Sequence, residues 1–202
     1  SQAALWEIQA LLRARPVAGR APLGERFARM RQRLVPEYMA RQEADVGAAI
    51  EELRVKARRR SGLPEGPNIK LDSGGIRDVE FLVQGLQLMH LGEGDGMLAS
   101  GNTLEGIGLL EEAGLLPPAE AAQLRRDYLF LRRIEDYLQG FEDRQTHTLP
   151  SAPEELQALA RRMLGAGADA EQLERELEAA MTGVRRAYER FLLGRGGPAS
   201  GG

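Results

Sequence analysis

Hydrophobic residues recur at helical spacing along almost the whole chain. The segment 3–14 repeats leucine and isoleucine at intervals of three and four residues and ends before Pro16, which disfavours helix in the residue before it. The longest apolar stripe follows the two prolines at 117–118. Its members are Leu124, Tyr128, Leu131, Ile134, Leu138 and Phe141. Because stripes of this width need partner helices, the pattern predicts a mainly α fold, a bundle of seven or eight helices.

Several helix boundaries are also predicted by local sequence signals. The segments 24–35 and 36–60 read as a short and a long helix, with Pro36 in the first turn of the second. Ser151 and Asp169 each stand three residues before a glutamate or glutamine, the spacing of a capping box. They predict the starts of the last two helices.

A β-prone run at residues 68–71 is the one candidate strand. It follows a turn-rich break at 61–67 and precedes Gly74, Gly75 and a helix predicted from about residue 75 to 91. A lone strand cannot satisfy its own backbone hydrogen bonds. The run is therefore either irregular, or paired with a sheet that lies mostly outside this sequence.

Composition narrows the class of protein. The 202 residues are 43% hydrophobic and 28% charged, as in globular chains. The net charge of −3 argues against a nucleic-acid partner, because neutralising phosphates needs a basic surface. The absence of cysteine excludes disulfides and thiolate chemistry. Without a long apolar run or a signal-peptide core, we expect a cytoplasmic chain with no membrane partner. Since the sequence begins with serine, we expect either a processed product or an excised piece of something longer.

The stretch "NIKLDSGGIRDVEF" (68–81) carries the main candidate chemistry. Two glycines before a helix offer backbone N–H groups at the positive end of the helix dipole, within reach of Lys70, and so suggest a phosphate site. Asp78 and Glu80 have the chemistry to position a metal, a water or Arg77. The alternative is a tight turn in which both acidic residues favour the helix dipole. The glycine spacing matches neither the P-loop nor the dinucleotide fingerprint.

The remaining charged groups predict no catalytic or metal site. The basic run 54–60 suits either a nucleotide or nucleic-acid contact or, more simply, a solvated helix end. His90 and His147 are too few for a metal cluster, and His147 is expected to form a cap or hydrogen bond in a polar turn. The charges of "RRIEDYLQGFEDR", Glu135 included, are interpreted as the outer face of a helix. No Ser/His/Asp set and no paired-carboxylate strand motif occurs.

Three stretches in fixed order resemble one family. They are "WEIQALLRARPVAG", "NIKLDSGGIRDVEFLVQGLQLMH" and "YLFLRRIEDYLQGFEDRQTHTLP". Together they resemble the bifunctional glutamine-synthetase adenylyltransferase/adenylyl-removing enzymes from about Trp6 to Leu193. The "L-R-R-x-E-x-x-L-Q" helix followed by "D-R-Q-T-H-T-L-P" is similar to the N-terminal, deadenylylating half of that family.

The resemblance implies a domain organisation. In that family each half has a polymerase-β-like nucleotidyltransferase domain followed by a helical domain. Residues 1–74 would be the C-terminal part of the first, 75–194 the helical bundle, and 195–202 a flexible tail. The candidate strand would be a remnant of the nucleotidyltransferase sheet, so the fold contains at most one or two short strands, and the partners of this strand would lie outside the chain.

The resemblance also implies a function. The deadenylylating half removes AMP from glutamine synthetase by phosphorolysis, giving ADP, and the other half attaches AMP from ATP. The metal-binding motifs of such enzymes lie upstream, so we expect this chain to supply the helical domain and the back of the nucleotide cleft and to be inactive alone. The phosphate-binding residues implied are Lys70, Gly74, Gly75, Arg77 and Glu80. Asp72-Ser73 stands where Gly-Pro is usual, and Asp78 where Glu is usual.

Cofactors and partners follow from the same resemblance. The parent enzyme would use Mg²⁺ and ATP or ADP, with none bound by this chain alone. Its partners would be glutamine synthetase, the PII signalling protein and the rest of the parent enzyme, in the regulation of nitrogen metabolism. The alternative is a helical protein-binding module that docks one of these, or a neighbouring domain, without any part in nucleotide chemistry.

Overall fold

Helices dominate the structure. The computed structural model describes residues 5–41, 45–60, 67–91, 96–142 and 147–195. Within these ranges the regular structure consists of α-helices and one π-helical turn, with no strand, so the predicted mainly α fold is confirmed. The helices are α1 Leu5–Arg13, α2 Ala21–Met39, α3 Val46–Arg60, α4 Ile76–Met89, α5 Thr103–Glu112, α6 Pro118–Glu142, α7 Pro153–Leu164 and α8 Ala170–Ala187, which continues into the π-helical turn Tyr188–Leu192.

Helix α4 lies at the centre of the bundle. Most of its residues are buried, and it packs against α3, α5, α6, α8 and the π-helical turn. Burial on nearly all sides is typical of a helix that other helices enclose. Ile50 of α3 and Ile69 lie in the same core cluster as Leu82 of α4 and Leu131 of α6. This core crosses residue 74, and the division into domains there stays a prediction.

Helix α6 forms the long wall of the bundle. The predicted stripe residues from Leu124 to Leu138 are buried against α8, α7 and α4, while the side chain of Phe141 lies outside the described residues. Helix α8 begins as predicted, because the Asp169 carboxylate accepts the backbone N–H of Gln172 at 2.7 Å. Helix α7 forms where it was predicted, with Pro153 in its first turn, but the predicted capping box at Ser151 was wrong, because the cap position is Ala152 and has no side-chain hydrogen bond.

The N-terminal helices form a smaller, separate cluster. Ile8 and Leu12 of α1 meet Val35 of α2 beside Leu88 and Leu98. Val35 is the buried residue of α2, so most of that helix faces outward.

One arginine ties this N-terminal cluster to the bundle. The Arg31 guanidinium donates to the carbonyl oxygens of Ala14 at 3.0 Å and Leu98 at 2.5 Å. These bonds join α2 to the end of α1 and to the loop before α5.

The predicted helix break at Pro36 was wrong. Helix α2 runs through Pro36 to Met39, and the next helix begins at Val46. Proline removes a single backbone donor, and here it does so one turn before the end of the helix. The carbonyl of Pro36 still accepts the N–H of Ala40 at 2.8 Å. One lost hydrogen bond is too little to end the helix.

The predicted strand at 68–71 was also wrong. Only Asn68 pairs, in an isolated antiparallel bridge with Thr148, and the chain then turns. The Asn68 side chain accepts the backbone N–H groups of Lys70 at 3.0 Å and Leu71 at 2.9 Å, which folds the chain back. The pairing partner therefore belongs to this chain and not to an external sheet.

Within the described ranges, no helix combines the length and the apolar character that crossing a membrane requires.

Candidate functional site

Residues 67–78 form a tight corner, called here the glycine corner, that delivers the chain into α4. The N–H groups of Ile76 and Arg77 donate to the carbonyls of Ile69 and Lys70 at 3.0 and 3.1 Å. Gly74 has a φ of +86°, and a Cβ there would collide with the backbone carbonyl of Met181 in α8. Both the positive φ and the lack of space for a Cβ require glycine at position 74. The corner is thereby pressed directly onto α8.

The N–H groups of both glycines have acceptors inside the corner. Gly74 donates to Asp78 Oδ2 at 2.7 Å, and Gly75 donates to the carbonyl of Asp72 at 2.8 Å. The glycines therefore shape the turn. The positive charge of the corner therefore comes from its side chains and not from these two N–H groups.

Asp78 is the internal anchor of the corner. It is 2% exposed, and Arg54 of α3 donates to its Oδ2 at 3.0 Å. Burial raises the pKa of Asp78, while the Gly74 N–H and the Arg54 charge oppose that rise. Arg54 also donates to both carboxylate oxygens of Glu51, at 2.8 and 2.9 Å. It thus clamps α3 to the corner.

The basic run 54–60 is largely paired with carboxylates. Lys56 pairs with Glu52 at 2.5 Å, and Arg58 pairs with Asp72 at 3.1 Å. Asp72 also accepts the backbone N–H of Asn68 at 2.8 Å. These contacts favour the structural interpretation of the run. They also show that Arg58 balances the negative charge of Asp72.

Lys70 reaches a buried carboxylate in the middle of the bundle. Its Nζ lies 3.1 Å from Glu135 Oε1 in α6, and Glu135 is 1% exposed. Arg132 Nη1 lies 2.6 Å from Glu135 Oε2, and His147 Nδ1 lies 3.2 Å from Oε1. We call Lys70, Arg132, Glu135 and His147 the Glu135 cluster. It joins the two most specific motifs of the sequence.

The placement of Glu135 on a solvated outer face was wrong. Alternating steps of four and three from Leu124 reach residues 128, 131, 135 and 138, so Glu135 lies on the buried stripe itself. A charged residue in register with an apolar stripe is the signal that would have identified it. Arg132, one turn earlier on the same face, was missed for the same reason.

The His147 ring is the titratable member of the cluster. Burial lowers its pKa, and the charges of Lys70, Arg77 and Arg132 lower it further, while the Glu135 charge opposes them. At neutral pH the ring is therefore neutral, and we assign its Nδ1–H as the donor to Glu135. His147 also forms a hydrogen bond through its backbone: its carbonyl accepts the N–H of Ile69 at 2.9 Å.

The side chains of Arg77 and Glu80, both in the first turns of α4, lie in different environments. The Arg77 guanidinium lies 6.0 Å from the centre of the Phe81 ring. Glu80 pairs with Arg13 of α1 at 3.0 Å and thus links α1 to α4. The structure brings Lys70 and Arg77 near Arg132 and His147. The ligand-binding roles predicted for Lys70, Gly74, Gly75, Arg77 and Glu80 stay predictions.

Fold and site together define a helical bundle domain with a glycine corner and a cationic cluster on a buried carboxylate. The chain belongs to the family described as GlnD PII-uridylyltransferase, which matches residues 44–192. That range runs from the start of α3 through the π-helical turn. Helices α1 and α2 precede it.

Relatives with long matches carry one name. The chain is 40% identical over 191 residues to the "bifunctional glutamine synthetase adenylyltransferase/adenylyl-removing enzyme" of Streptomyces avermitilis, across 93% of this chain and 18% of that protein. The enzyme of that name from Hahella chejuensis is 40% identical over 177 residues, across 84% and 18%. The one from Mycobacterium tuberculosis is 39% identical over 150 residues, across 74% and 15%. The resemblance is confirmed, and the chain spans less than a fifth of these relatives.

Proposed function

We propose that the chain is a segment of an enzyme that regulates glutamine synthetase by reversible adenylylation, from its deadenylylating half. The names of the relatives support the parent activity. In this proposal the chain supplies the helical domain and the back wall of the nucleotide cleft. The observation that carries it is the contact between Lys70 of the glycine corner and Glu135 of α6, which unites the two family motifs.

The proposed role of the corner is electrostatic. In phosphorolysis an oxygen of inorganic phosphate attacks the phosphorus of the AMP–protein phosphodiester. The bond from that phosphorus to the protein oxygen breaks, and the oxygen takes up a proton as ADP forms. Two anions must approach each other, so fixed cations beside them lower the barrier. Lys70 and Arg77 are the corner cations that supply this charge.

The described residues do not fit a magnesium site. Mg²⁺ prefers carboxylate oxygens, and no group of three or more His, Asp or Glu able to hold a metal occurs within the described ranges. The buried carboxylates of Asp78 and Glu135 are occupied by arginine and lysine. In this proposal the ligands for Mg²⁺, and the binding of ATP or ADP around it, belong to other parts of the parent enzyme.

The test uses the full-length parent. Losing one fixed cation typically costs about 2–4 kcal/mol of transition-state stabilisation, so Lys70→Ala and Arg77→Ala each slow deadenylylation about a hundredfold. Arg126→Ala, on the exposed face of α6, is the control and keeps the normal rate. Circular dichroism checks that each variant is folded. Near-normal rates in both corner variants would show that the corner is structural.

The isolated chain is expected to be inactive. It is incubated with adenylylated glutamine synthetase, inorganic phosphate and Mg²⁺, and ADP release is followed. The expected result is no release above a buffer control. Release that follows the chain through purification contradicts the proposal that the metal ligands lie elsewhere.

A second candidate function, a protein-binding module, is favoured by helix α2. Leu23, Met30 and Leu34 lie on one side of this helix and are 61%, 39% and 37% exposed. Arg26 and Arg29 flank this apolar stripe. An exposed apolar stripe with a basic rim fits a partner surface that is apolar with an acidic rim.

The occupant that we propose for this stripe is the neighbouring catalytic domain of the parent. The relatives are more than five times longer than this chain, and α2 precedes the family match at 44–192. Leu23→Asp with Leu34→Asp should then lower parent activity and loosen that domain in limited proteolysis. Loss of binding to glutamine synthetase or PII instead would assign the stripe to those partners. If Lys70→Ala and Arg77→Ala keep the normal deadenylylation rate while the α2 variant loses it, the chain is a protein-binding module. The proposal that it forms the back wall of the nucleotide cleft is then wrong.

A further inference from the structure

We propose that the Glu135 cluster and Arg77 form a binding site for a phosphate-class anion, in which Arg132 and His147 are ligand-contacting residues and Glu135 positions them. This deepens the proposed function, on which its biological role rests. Neither Arg132 nor His147 was predicted from the sequence as part of a site. The anion is either inorganic phosphate or the phosphate group of a nucleotide.

The first argument is charge. Lys70 and Arg132 approach the same Glu135 carboxylate, at 3.1 and 2.6 Å, and the positive charges of both and of Arg77 lower the pKa of His147. Among the described residues, Glu135 is the carboxylate that contacts Lys70, Arg132 and His147. Within the cluster, Lys70 and Arg132 share the single negative charge of Glu135, so one positive charge of the two is not compensated there. Since like charges in proximity repel, an anion bound at this place stabilises the group.

The second argument is the direction of burial. The Glu135 side chain is 2% exposed, whereas those of His147, Lys70 and Arg132 are 19%, 25% and 41% exposed. The carboxylate therefore lies behind and the cations lie in front, toward solvent. A lysine has three N–H donors and an arginine five, and Glu135 occupies only part of them. The donors left over suit the several oxygens of a phosphate.

The third argument is preorganisation. Lysine and arginine side chains lose much conformational entropy when they are ordered, and a site whose donors are already held avoids this cost on binding. Glu135 holds Lys70 at 3.1 Å and Arg132 at 2.6 Å, from a helix fixed in the core. The backbone of the glycine corner is also fixed by its internal hydrogen bonds. Glu135 is thus a positioning residue.

His147 reports the occupancy of this site. Its pKa is low because burial and three neighbouring cations disfavour the imidazolium, with Glu135 as the opposing charge. An anion bound among those cations favours the imidazolium and raises the pKa. The chain has one other histidine, His90, outside the cluster. Two resonances in one spectrum therefore provide the probe and its internal reference.

The experiment is an NMR pH titration of the isolated chain with inorganic phosphate, with AMP, and with sodium chloride at matched ionic strength. Phosphate should raise the pKa of His147 by roughly 0.5 or more relative to chloride, while the His90 resonances respond alike to the two salts. A response to AMP at lower concentration than to phosphate assigns the site to a nucleotide. A response to phosphate alone assigns it to the free anion.

Two variants with the same charge change complete the test. Arg132→Gln should weaken phosphate binding about tenfold, the value of one charge-assisted contact. Arg126→Gln, on the exposed face of the same helix, should bind as the parent chain does. Thermal unfolding checks both folds. Equal phosphate and chloride responses of His147, or equal affinities of the two variants, overturn the proposal. If one of these results is found but Lys70→Ala still slows deadenylylation about a hundredfold, the proposed function stands and the proposed anion site is wrong.

Discussion

Helix α6 carries two buried carboxylates with opposite surroundings. Glu135 is 1% exposed and is approached by Lys70, Arg132 and His147. Asp127 is 6% exposed, and its Oδ1 accepts the Gln123 amide at 2.7 Å. Its Oδ2 has no hydrogen-bond partner within the described residues. Burial of a carboxylate therefore does not by itself indicate a binding site. What distinguishes Glu135 from Asp127 is the set of cationic side chains that the fold brings to it.

The surroundings of Asp127 have a simple steric cause. It faces Gly183 of α8, where a Cβ would lie 2.7 Å from Asp127 Oδ2. The absence of a side chain on α8 lets the two helices approach, and the carboxylate fills the space. Burial raises the pKa of Asp127 to about 6, against smaller opposing effects of Gln123 and Arg126. Glu135 holds the neighbouring cations in place, whereas the buried charge of Asp127 lowers the stability of the fold at neutral pH.

The largest effect is expected from Glu135→Ala. The change leaves Lys70 and Arg132 facing each other without a counter-charge and opens a small cavity, so the free energy of unfolding falls by about 3 kcal/mol. Urea denaturation at pH 7.5 measures it. The control is Asp136→Ala, an exposed neighbour, which stays within about 0.5 kcal/mol of the parent. Equal losses in the two variants would contradict the comparison.

Asp127→Asn is expected to stabilise the chain at neutral pH. The folded pKa of Asp127 is raised from 3.8 to about 6. Between these values the unfolded chain loses its proton first, so stability is full below pH 4 and falls as pH rises through 6. The cost above pH 6 is roughly 2–3 kcal/mol, at about 1.4 kcal/mol for each pKa unit.

The measurement is urea denaturation of both chains at pH 7.5, 5 and 4. Asparagine carries no charge and keeps an oxygen for the Gln123 amide, so the variant gains most at pH 7.5. The gain shrinks toward pH 4. Asp136→Asn is the exposed control. A gain that does not change with pH would show that the charge of Asp127 is not the cause.

The smallest effect is expected from Gly183→Ala. The added methyl displaces the Asp127 carboxylate and costs about 1 kcal/mol. In an Asp127→Ala background the same change has room, and the helix preference of alanine over glycine makes it stabilising by up to about 1 kcal/mol. The double-mutant cycle therefore yields a coupling of about 1–2 kcal/mol. Gly140→Ala in α6, where a Cβ meets no atom of the described residues within 4 Å, is the uncoupled control.

The sequence by itself determined the helices and the family. The stripe from Leu124 to Leu138 predicted α6, and Asp169 predicted the start of α8, because both depend on contacts three or four residues apart. The three motifs predicted the relatives correctly. Neighbours along the chain determine this geometry, and the printed sequence contains them.

The tertiary structure decided what those helices bring together. Lys70 and Glu135 lie 65 positions apart, and no periodicity of either segment links them. Their contact exists because α4 packs between α3, α6 and α8, which presses the glycine corner against α6 and the segment from His147. The partner of Asn68 was likewise found at Thr148, where a missing sheet had been expected. Long-range packing fixes such pairs, and it arises only when the whole core has assembled.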